Sequence, residues 1–517
     1  MSKIMEVEDA LKLIKDGDTI GSTGSGGGVL EPNYILEKLE ESFLQTGHPC
    51  DLTLVHASGF GDKKETGLNR FAHEKMTKRV IGGHWGWTPR MGDLANENKI
   101  EAYNLPQGVL TQLYREIAAN RVGLITHIGL GTFVDPRVEG GKLNEITKED
   151  LVKIVNIEGK ERLLYKAFPI NVAIIRGTTS DEDGNICMDE EPTYLEVLAL
   201  AQAAKNSGGK VICQVKYIAK SNSLDPRFVK IPGILVDAVV VYKEQWQTVE
   251  GEFNPGFTGK VKVPLEQLPA MKLDERKVIA RRAAMELTPN AIVNLGFGMP
   301  DGVASVAAEE GISDYITLTI EQGIVGGVPA SGAIFGVGTN PVSIIDEPSQ
   351  FDFYSGGGLD ITFLGMAQCD SEGNINVSKF GKNIAGCGGF VDISQSAKTA
   401  VFCGTFMAGG LKVEIHDGAL KILNEGKYKK FVEKVDQITF SGKRAREVGQ
   451  RVLYVTERAV FEMTELGLVL KEIAPGVDLQ KDILNKMSFK PIVDKNLKIM
   501  DTKIFQNSLI GLKSLFI

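Results

Sequence analysis

Paired cysteines, clustered histidines and long apolar runs are all missing from this sequence. Its six cysteines, Cys50, Cys187, Cys213, Cys369, Cys387 and Cys403, stand far apart and form no Cys-x-x-Cys pair, so neither a zinc knuckle nor a disulfide framework is indicated. Several sit in apolar runs such as KVICQV and TAVFCGTF, where a reduced cysteine behaves as a small buried hydrophobe. The six histidines offer no Ser/His/Asp arrangement, and no metal site is expected. No segment approaches the roughly 18 unbroken apolar residues that cross a bilayer. The opening stretch MSKIMEVEDALKLIKDGDTI reads as an amphipathic helix leading to a strand and lacks the apolar core and small-residue cleavage site of a secretory signal. A cytoplasmic protein with no membrane partner is the expectation. A surplus of positive charge is absent too: 58 basic against 66 acidic residues give a net of −8, which argues against nucleic acid as the main partner. The basic cluster Lys427, Lys429 and Lys430 reads as a solvated patch.

What is present points to a multidomain enzyme. At 517 residues the chain is long enough for two hydrophobic cores. Its 58 glycines punctuate apolar strand-like runs and helical runs, an α/β pattern. The strand-like runs include 52–56, 122–126, 171–177, 210–215 and 237–242; helical stretches such as 34–44 and 196–209 fall between them. A weak internal repeat accompanies the pattern. SDEDGNI at 180–186 is matched by CDSEGNI at 369–375, and a cysteine-bearing strand follows each, 29 residues after Gly184 and 30 after Gly373. DGDTIGSTGSGGGVLEP near the start likewise resembles PNAIVNLGFGMPDGV at 289–303. Two related open α/β/α domains are therefore expected: 1–243 and 272–517, joined by a Gly-, Pro- and charge-rich linker at 244–271, with the site where the halves meet.

Four stretches carry candidate chemistry. In ITLTIEQGIVGGVPASG (316–332), period two puts Ile316, Leu318 and Ile320 on one side of a strand and Thr317, Thr319 and Glu321 on the other. Glu321 then ends a strand beside a glycine-rich turn, where open α/β sheets bind ligands; a nucleophile or acid/base group and a plain surface carboxylate both fit. In NVSKFGKNIAGCGGFVDIS (376–394), successive glycine amides suit either an oxyanion hole or an ordinary strand-to-helix turn. The turns GSTGSGGG (21–28) and NLGFGMP (294–300) lack the GK[ST] of a phosphate loop. Gln107, on the turn NLPQG before an amphipathic helix, is placed either to bond a thioester or carboxylate oxygen or to hold the turn. The HWGW segment, His84 to Trp87, reads as packing or a loop cap.

Taken together, VNLGFGMP, TIEQGIVGGVP, GGGLDITFLG, EGNINVSKFG and AGCGGF, in this order and at these distances, resemble the family I CoA transferases, and within them the single-chain acetate or propionate type in which alpha and beta parts are fused. The resemblance covers nearly the whole chain, with NLPQG as a marker of the alpha part. Two departures stand out: the family's Ser-Glu-Asn-Gly is here Ile320-Glu321-Gln322-Gly323, and its Gly-Gly-Phe unit is Gly27-Gly28-Val29. The resemblance implies two domains of the CoA-transferase type related to phosphosugar isomerases, a homo-oligomer (tetramer or dimer), acyl-CoA and short-chain carboxylic acids as substrates, and no cofactor, coenzyme A being itself a substrate. It implies Glu321 as nucleophile, Gly388 and Gly389 as oxyanion donors, each contributing about 2.7–4 kcal/mol to the barrier, and Gln107 and Asn294 as groups that orient the carboxylates. Gly296, Gly298 and Lys379 are the candidates for CoA contacts. A phosphosugar isomerase or deaminase using Glu321 as a base, and a CoA-ester binding protein without turnover, are the alternatives.

Overall fold

The computed structural model describes residues 3–264 and 271–517. The chain forms two compact units, the first made of Met1–Val263, Glu321–Asp352 and Gly381–Asp392, the second of Pro264–Ile320, Phe353–Phe380 and Ile393–Ile517. Neither unit is a contiguous half of the sequence.

The first unit is built on a parallel sheet of seven strands, β1 (Thr19–Ser22), β2 (Leu52–His56), β3 (Thr77–Gly82), β4 (Glu101–Asn104), β5 (Val172–Arg176), β6 (Lys210–Val215) and β7 (Ala238–Val241), in the order β7-β6-β5-β1-β2-β3-β4. Ile20 of β1 faces Leu54 on one side and Val172 on the other. Strands this apolar are those expected of a parallel sheet covered on both faces: all five residues of β5 are buried. Helices α1 (Asn33–Thr46), α2 (Gln107–Ala118) and α3 (Val197–Asn206) bury their apolar sides in this unit. Alanines at 199, 201, 203 and 204 keep α3 slim, and a Cβ on Gly21 would lie 2.4 Å from Leu200 Cδ1, so the helix seats directly on β1. The strand order reverses between β5 and β1, and the turn 23–28 leaves β1 at that reversal, the usual place for a ligand in such sheets.

The second unit repeats the plan. Its strands are β8 (Ile292–Leu295), β9 (Thr317–Ile320), β10 (Ile361–Gly365), β11 (Thr399–Cys403), β12 (Arg451–Val455), β13 (Ala459–Thr464), β14 (Gly467–Ile473) and β15 (Ile492–Ile499). The run β9-β8-β10-β11-β12 is parallel, and an antiparallel meander through β13 and β14 extends it. Helix α4 (Glu275–Ala284) starts on Asp274, whose carboxylate accepts from the amides of Arg276 (3.0 Å) and Lys277 (3.1 Å), a capping arrangement that satisfies two otherwise orphaned donors. Helix α5 (Gly302–Glu309) follows β8, and α6 (Glu347–Ser355) and α7 (Phe390–Ser396) each begin in residues of the first unit and end in residues of the second.

The repeat seen in the sequence is a repeated structure. Asp181 Oδ1 accepts from the amides of Asp183 (3.0 Å) and Asn185 (2.9 Å), and Asp370 Oδ1 accepts from Glu372 (3.1 Å) and Asn374 (3.0 Å) in the same way. Each loop turns on a glycine in the left-handed region, Gly184 at φ 85° and Gly373 at φ 75°, which explains why glycine recurs there. Cys213 on β6 and Cys403 on β11 then occupy matching strands.

Two of the sequence readings gain structural detail. The strand at 122–126 forms (Gly123–Thr126), but it pairs antiparallel with Lys160–Lys166 in a separate small sheet; the exposure of Val122 and Ile125 shows why, since an open face does not belong inside a covered parallel sheet. The stretch read as a linker is not loose over its first part: Gln245, Gln247 and Thr248 are buried, and the Val249 amide bonds to Gly27 O at 2.8 Å. Residues 265–270 of it lie outside the described residues. Among the described residues no helix is long and apolar enough to cross a membrane.

Candidate active site

Glu321 follows directly on Ile320, the last residue of β9, and is the first residue of a segment that packs with the first unit. It is buried, at 9% exposure. The neighbouring Gln322 is buried as well; its carbonyl accepts a hydrogen bond from the Thr193 hydroxyl, and a Cβ on Gly336 would lie 3.0 Å from its Cδ. Thr193 and Gly336 thus clamp the residue that stands where the family pattern has Asn.

The turn NLPQG and the loop AGCGG come together in the first unit. Asn104 is fully buried and donates to Gly82 O (2.8 Å) and Gly83 O (2.6 Å), while its Oδ1 accepts from the Cys387 amide at 3.0 Å. The amides of Trp85 and Gly86 both bond to Ala385 O at 2.8 Å, so the HWGW segment serves as scaffold for the glycine loop. Gln107 is held twice: its amide donates to Gly388 O at 2.9 Å, and its side chain Nε2 donates to Glu347 Oε1. Gly388 is at φ 51°, and a Cβ there would lie 3.5 Å from Gln107 Oε1, so the loop runs past the Gln107 amide.

Around these groups the unit buries an unusual number of carboxyls. Asp392 accepts from the first amides of α2, Gly108 (3.2 Å) and Val109 (3.1 Å), yet burial pushes it up to about 8, with the Glu321 charge adding to the rise. Burial likewise raises Glu347 well above the usual carboxylate range, with Glu196 and then Glu321 adding repulsion against the pull of the Gln107 bond. Burial lifts Glu196 to about 7. The charge of Glu321 therefore bears on both Glu347 and Asp392.

The structure brings Glu321, Gln107, Gly388 and Gly389 into one unit, but the other candidates belong to the second. Asn294 is fully buried and spent on cross-strand ties: Nδ2 lies 3.5 Å from Thr319 O, and Oδ1 accepts from the Thr362 hydroxyl at 3.2 Å. It stitches β8 to its neighbours. The Gly296 amide is likewise committed, to Phe363 O at 2.8 Å. Gly298 at φ 88° has open space on its Cβ side, and Lys379 is half-buried. The Gly388 amide donates to Gly83 O at 2.9 Å. No backbone bond engages the Gly389 amide among the described residues. Replacing Gly389 by proline, which removes that N–H, is expected to lower kcat by roughly 10²-fold or more; a steady-state assay on the folded variant, with Gly389→Ala as the control that keeps the N–H, checks it.

Sequence reasoning missed Glu196, Glu347 and Asp392. Each is an ordinary acidic residue next to a helix start, and only packing buries it. Asp16, His48 and Cys50 bring metal-donor side chains together at the surface; His48 Nδ1 is 2.7 Å from Asp16.

Residues 4–242 match the family model described as Coenzyme A transferase. A caffeate CoA-transferase of Acetobacterium woodii is 48% identical over 100% of this chain and 99% of its own length. An acetate CoA-transferase, YdiF, of Escherichia coli O157:H7 is 46% identical over 98% of this chain and 96% of its own. The crystal structure of the acyl-CoA transferase YdiF from the same organism, in a thioester complex with CoA, superimposes with a TM-score of 0.94 at 46% identity, covering 99% of this chain and 97% of that one.

Proposed function

Because the chain belongs to the family of coenzyme A transferases and moves CoA between acyl-CoA and free carboxylates, we propose that it does so through a glutamyl-CoA thioester on Glu321, with short-chain acids of the acetate and propionate type as substrates. The observation that carries the reading is the place of Glu321: a buried carboxylate directly after strand β9, whose charge bears on Glu347 and Asp392, two acids that burial drives toward the protonated form. The thioester complex described for YdiF supports the covalent step.

Glu321 attacks the acyl carbonyl of the donor; a C–O bond forms, the C–S bond breaks, and an acyl-glutamyl anhydride and CoA thiolate result. The thiolate then attacks the glutamyl carbonyl, and the first acid leaves as its carboxylate. The incoming carboxylate runs both steps in reverse, so thioester energy is kept and no proton is consumed. The Gly389 amide is the donor to the developing oxyanion, and Gln107, held by Glu347, orients the carboxylates. A weak nucleophile needs binding energy from the distant parts of CoA and a site closed to water; Gly298 and Lys379 remain the candidates for that contact. Membership in the family leaves the isomerase and binding-protein readings without support.

Incubated with an acyl-CoA and no acceptor acid, the protein is expected to gain the mass of one CoA less a water, on a peptide within 316–332. Hydroxylamine should remove the adduct and inactivate the enzyme, and initial-rate plots should be parallel. An adduct on Cys387, or intersecting lines, would overturn the scheme. A second reading of the acid has a specific basis, since the caffeate enzyme is as similar to this chain as the acetate one; running acetate, propionate and caffeate as competing acceptors separates the two.

A further inference from the structure

Two of the carboxyls in the first unit take no covalent part in the reaction just described. Glu196 immediately precedes α3, and Glu347 opens α6; both are buried, at 1% and 0% exposure. The Glu347 amide bonds to Leu195 O at 3.0 Å, which holds the two acids side by side. Glu347 Oε1 takes the Gln107 Nε2 hydrogen. Its other oxygen, Oε2, and both oxygens of Glu196 have no donor from any other described residue. Carboxylate oxygens only accept, so these two acids bond to each other only with a proton between them. A buried pair of bare carboxylates without a cation is strongly unfavourable.

We propose that Glu196 and Glu347 share one proton and serve as a positioning pair: Glu347 donates from Oε2 to Glu196 while its Oε1 accepts from Gln107, which fixes the direction of the Gln107 amide and keeps a second negative charge away from Glu321. With Nε2 turned to Glu347, Gln107 Oε1 lies on the Gly388 side. Glu196 and Glu347 titrate as a unit. The other titratable groups facing them are Glu321, whose charge raises Glu347, and Tyr114 of α2, whose phenol their charges push up further after burial. Arg115, next to Tyr114, is taken by Asp346 at 2.9 Å and by Asp352 and does not neutralise the pair.

The sign follows from the charge count. Both acids have raised proton affinity, so the singly protonated pair is present at neutral pH and is lost as pH rises through its folded titration; a doubly negative pair then stands beside Glu321 and repels incoming carboxylates. Activity should fall on the alkaline side.

The test is the pH profile of kcat/KM for the wild type, E347Q and E196Q, with folding checked by circular dichroism. An amide copies the neutral acid, and neither variant can become doubly negative. Both should keep the neutral-pH rate to within about tenfold and lose the alkaline limb, whereas E347A, which frees Gln107, should lose roughly 10²-fold at every pH. A wild type without an alkaline limb, glutamine variants that retain it unchanged, or folded glutamine variants as impaired as E347A would each overturn the proposal. If one glutamine variant does not fold, the other decides. The inference rests on Glu321 as the reacting carboxylate, and the two fail separately: mass analysis of the adduct tests Glu321, and the alkaline limb tests the pair.

Discussion

Replacing Glu321 with alanine should abolish CoA transfer, with a loss on the order of 10⁴-fold or more, the scale on which removal of a covalent nucleophile is felt. No other group can take over. The nearby acids, Glu347 and Asp392, are driven toward the neutral form by burial, and a protonated carboxyl is no nucleophile. The fold should survive, because the charge on Glu321 raises both of these acids and its removal relieves that repulsion. Single-turnover transfer, together with thermal unfolding of the same sample, is the measurement. Residual activity above about one per cent of wild type in a folded variant would show that the nucleophile lies elsewhere.

Replacing Arg176 with alanine should cost about 3–5 kcal/mol of stability, the range for breaking a buried ion pair from one side. Arg176 and Glu191 are nearly inaccessible and meet in a two-pronged contact, Nε to Oε1 at 3.0 Å and Nη2 to Oε2 at 2.9 Å. The guanidinium also donates to the carbonyls of Gly28 (3.2 Å), Glu31 (3.3 Å) and Trp246 (2.6 Å). It thereby ties the turn after β1 to the stretch that follows β7. Without it Glu191 is left as a buried carboxylate with Gln245 beside it at 3.1 Å as its side-chain donor among the described residues. Urea unfolding should show the loss, and pairing Arg176→Met with Glu191→Leu should restore much of it, because two apolar groups leave no unpaired charge. An unchanged midpoint for Arg176→Ala would mean that water enters and solvates the acid.

The strands of the parallel sheets were legible because they are short apolar runs between glycines, and the two-fold plan because Asp181 and Asp370 make the same local turn. Such features depend on neighbours a few residues away. Glu321 was legible for the same reason, since it ends an alternating strand ahead of glycines. A strand-end amide such as Asn294 reads the same in sequence whether it faces a ligand or Thr319 and Thr362, and the partner of the Gly388 amide, Gly83 O, lies far away in sequence. Glu196, Glu347 and Asp392 were invisible for a further reason: an acid at a helix start is common on surfaces, and what sets these apart is burial by segments hundreds of residues away.

The peptide bond between Ile320 and Glu321 joins the two units, and this has a bearing on how the protein is made. A ribosome that has released residues as far as 263 has delivered most of the first unit but neither Glu321 nor the 381–392 loop that bonds to Gln107. The nascent first unit can collapse around its own sheet, yet it gains both only once translation has passed residue 392. A prematurely terminated first half therefore carries neither Glu321 nor the 381–392 loop.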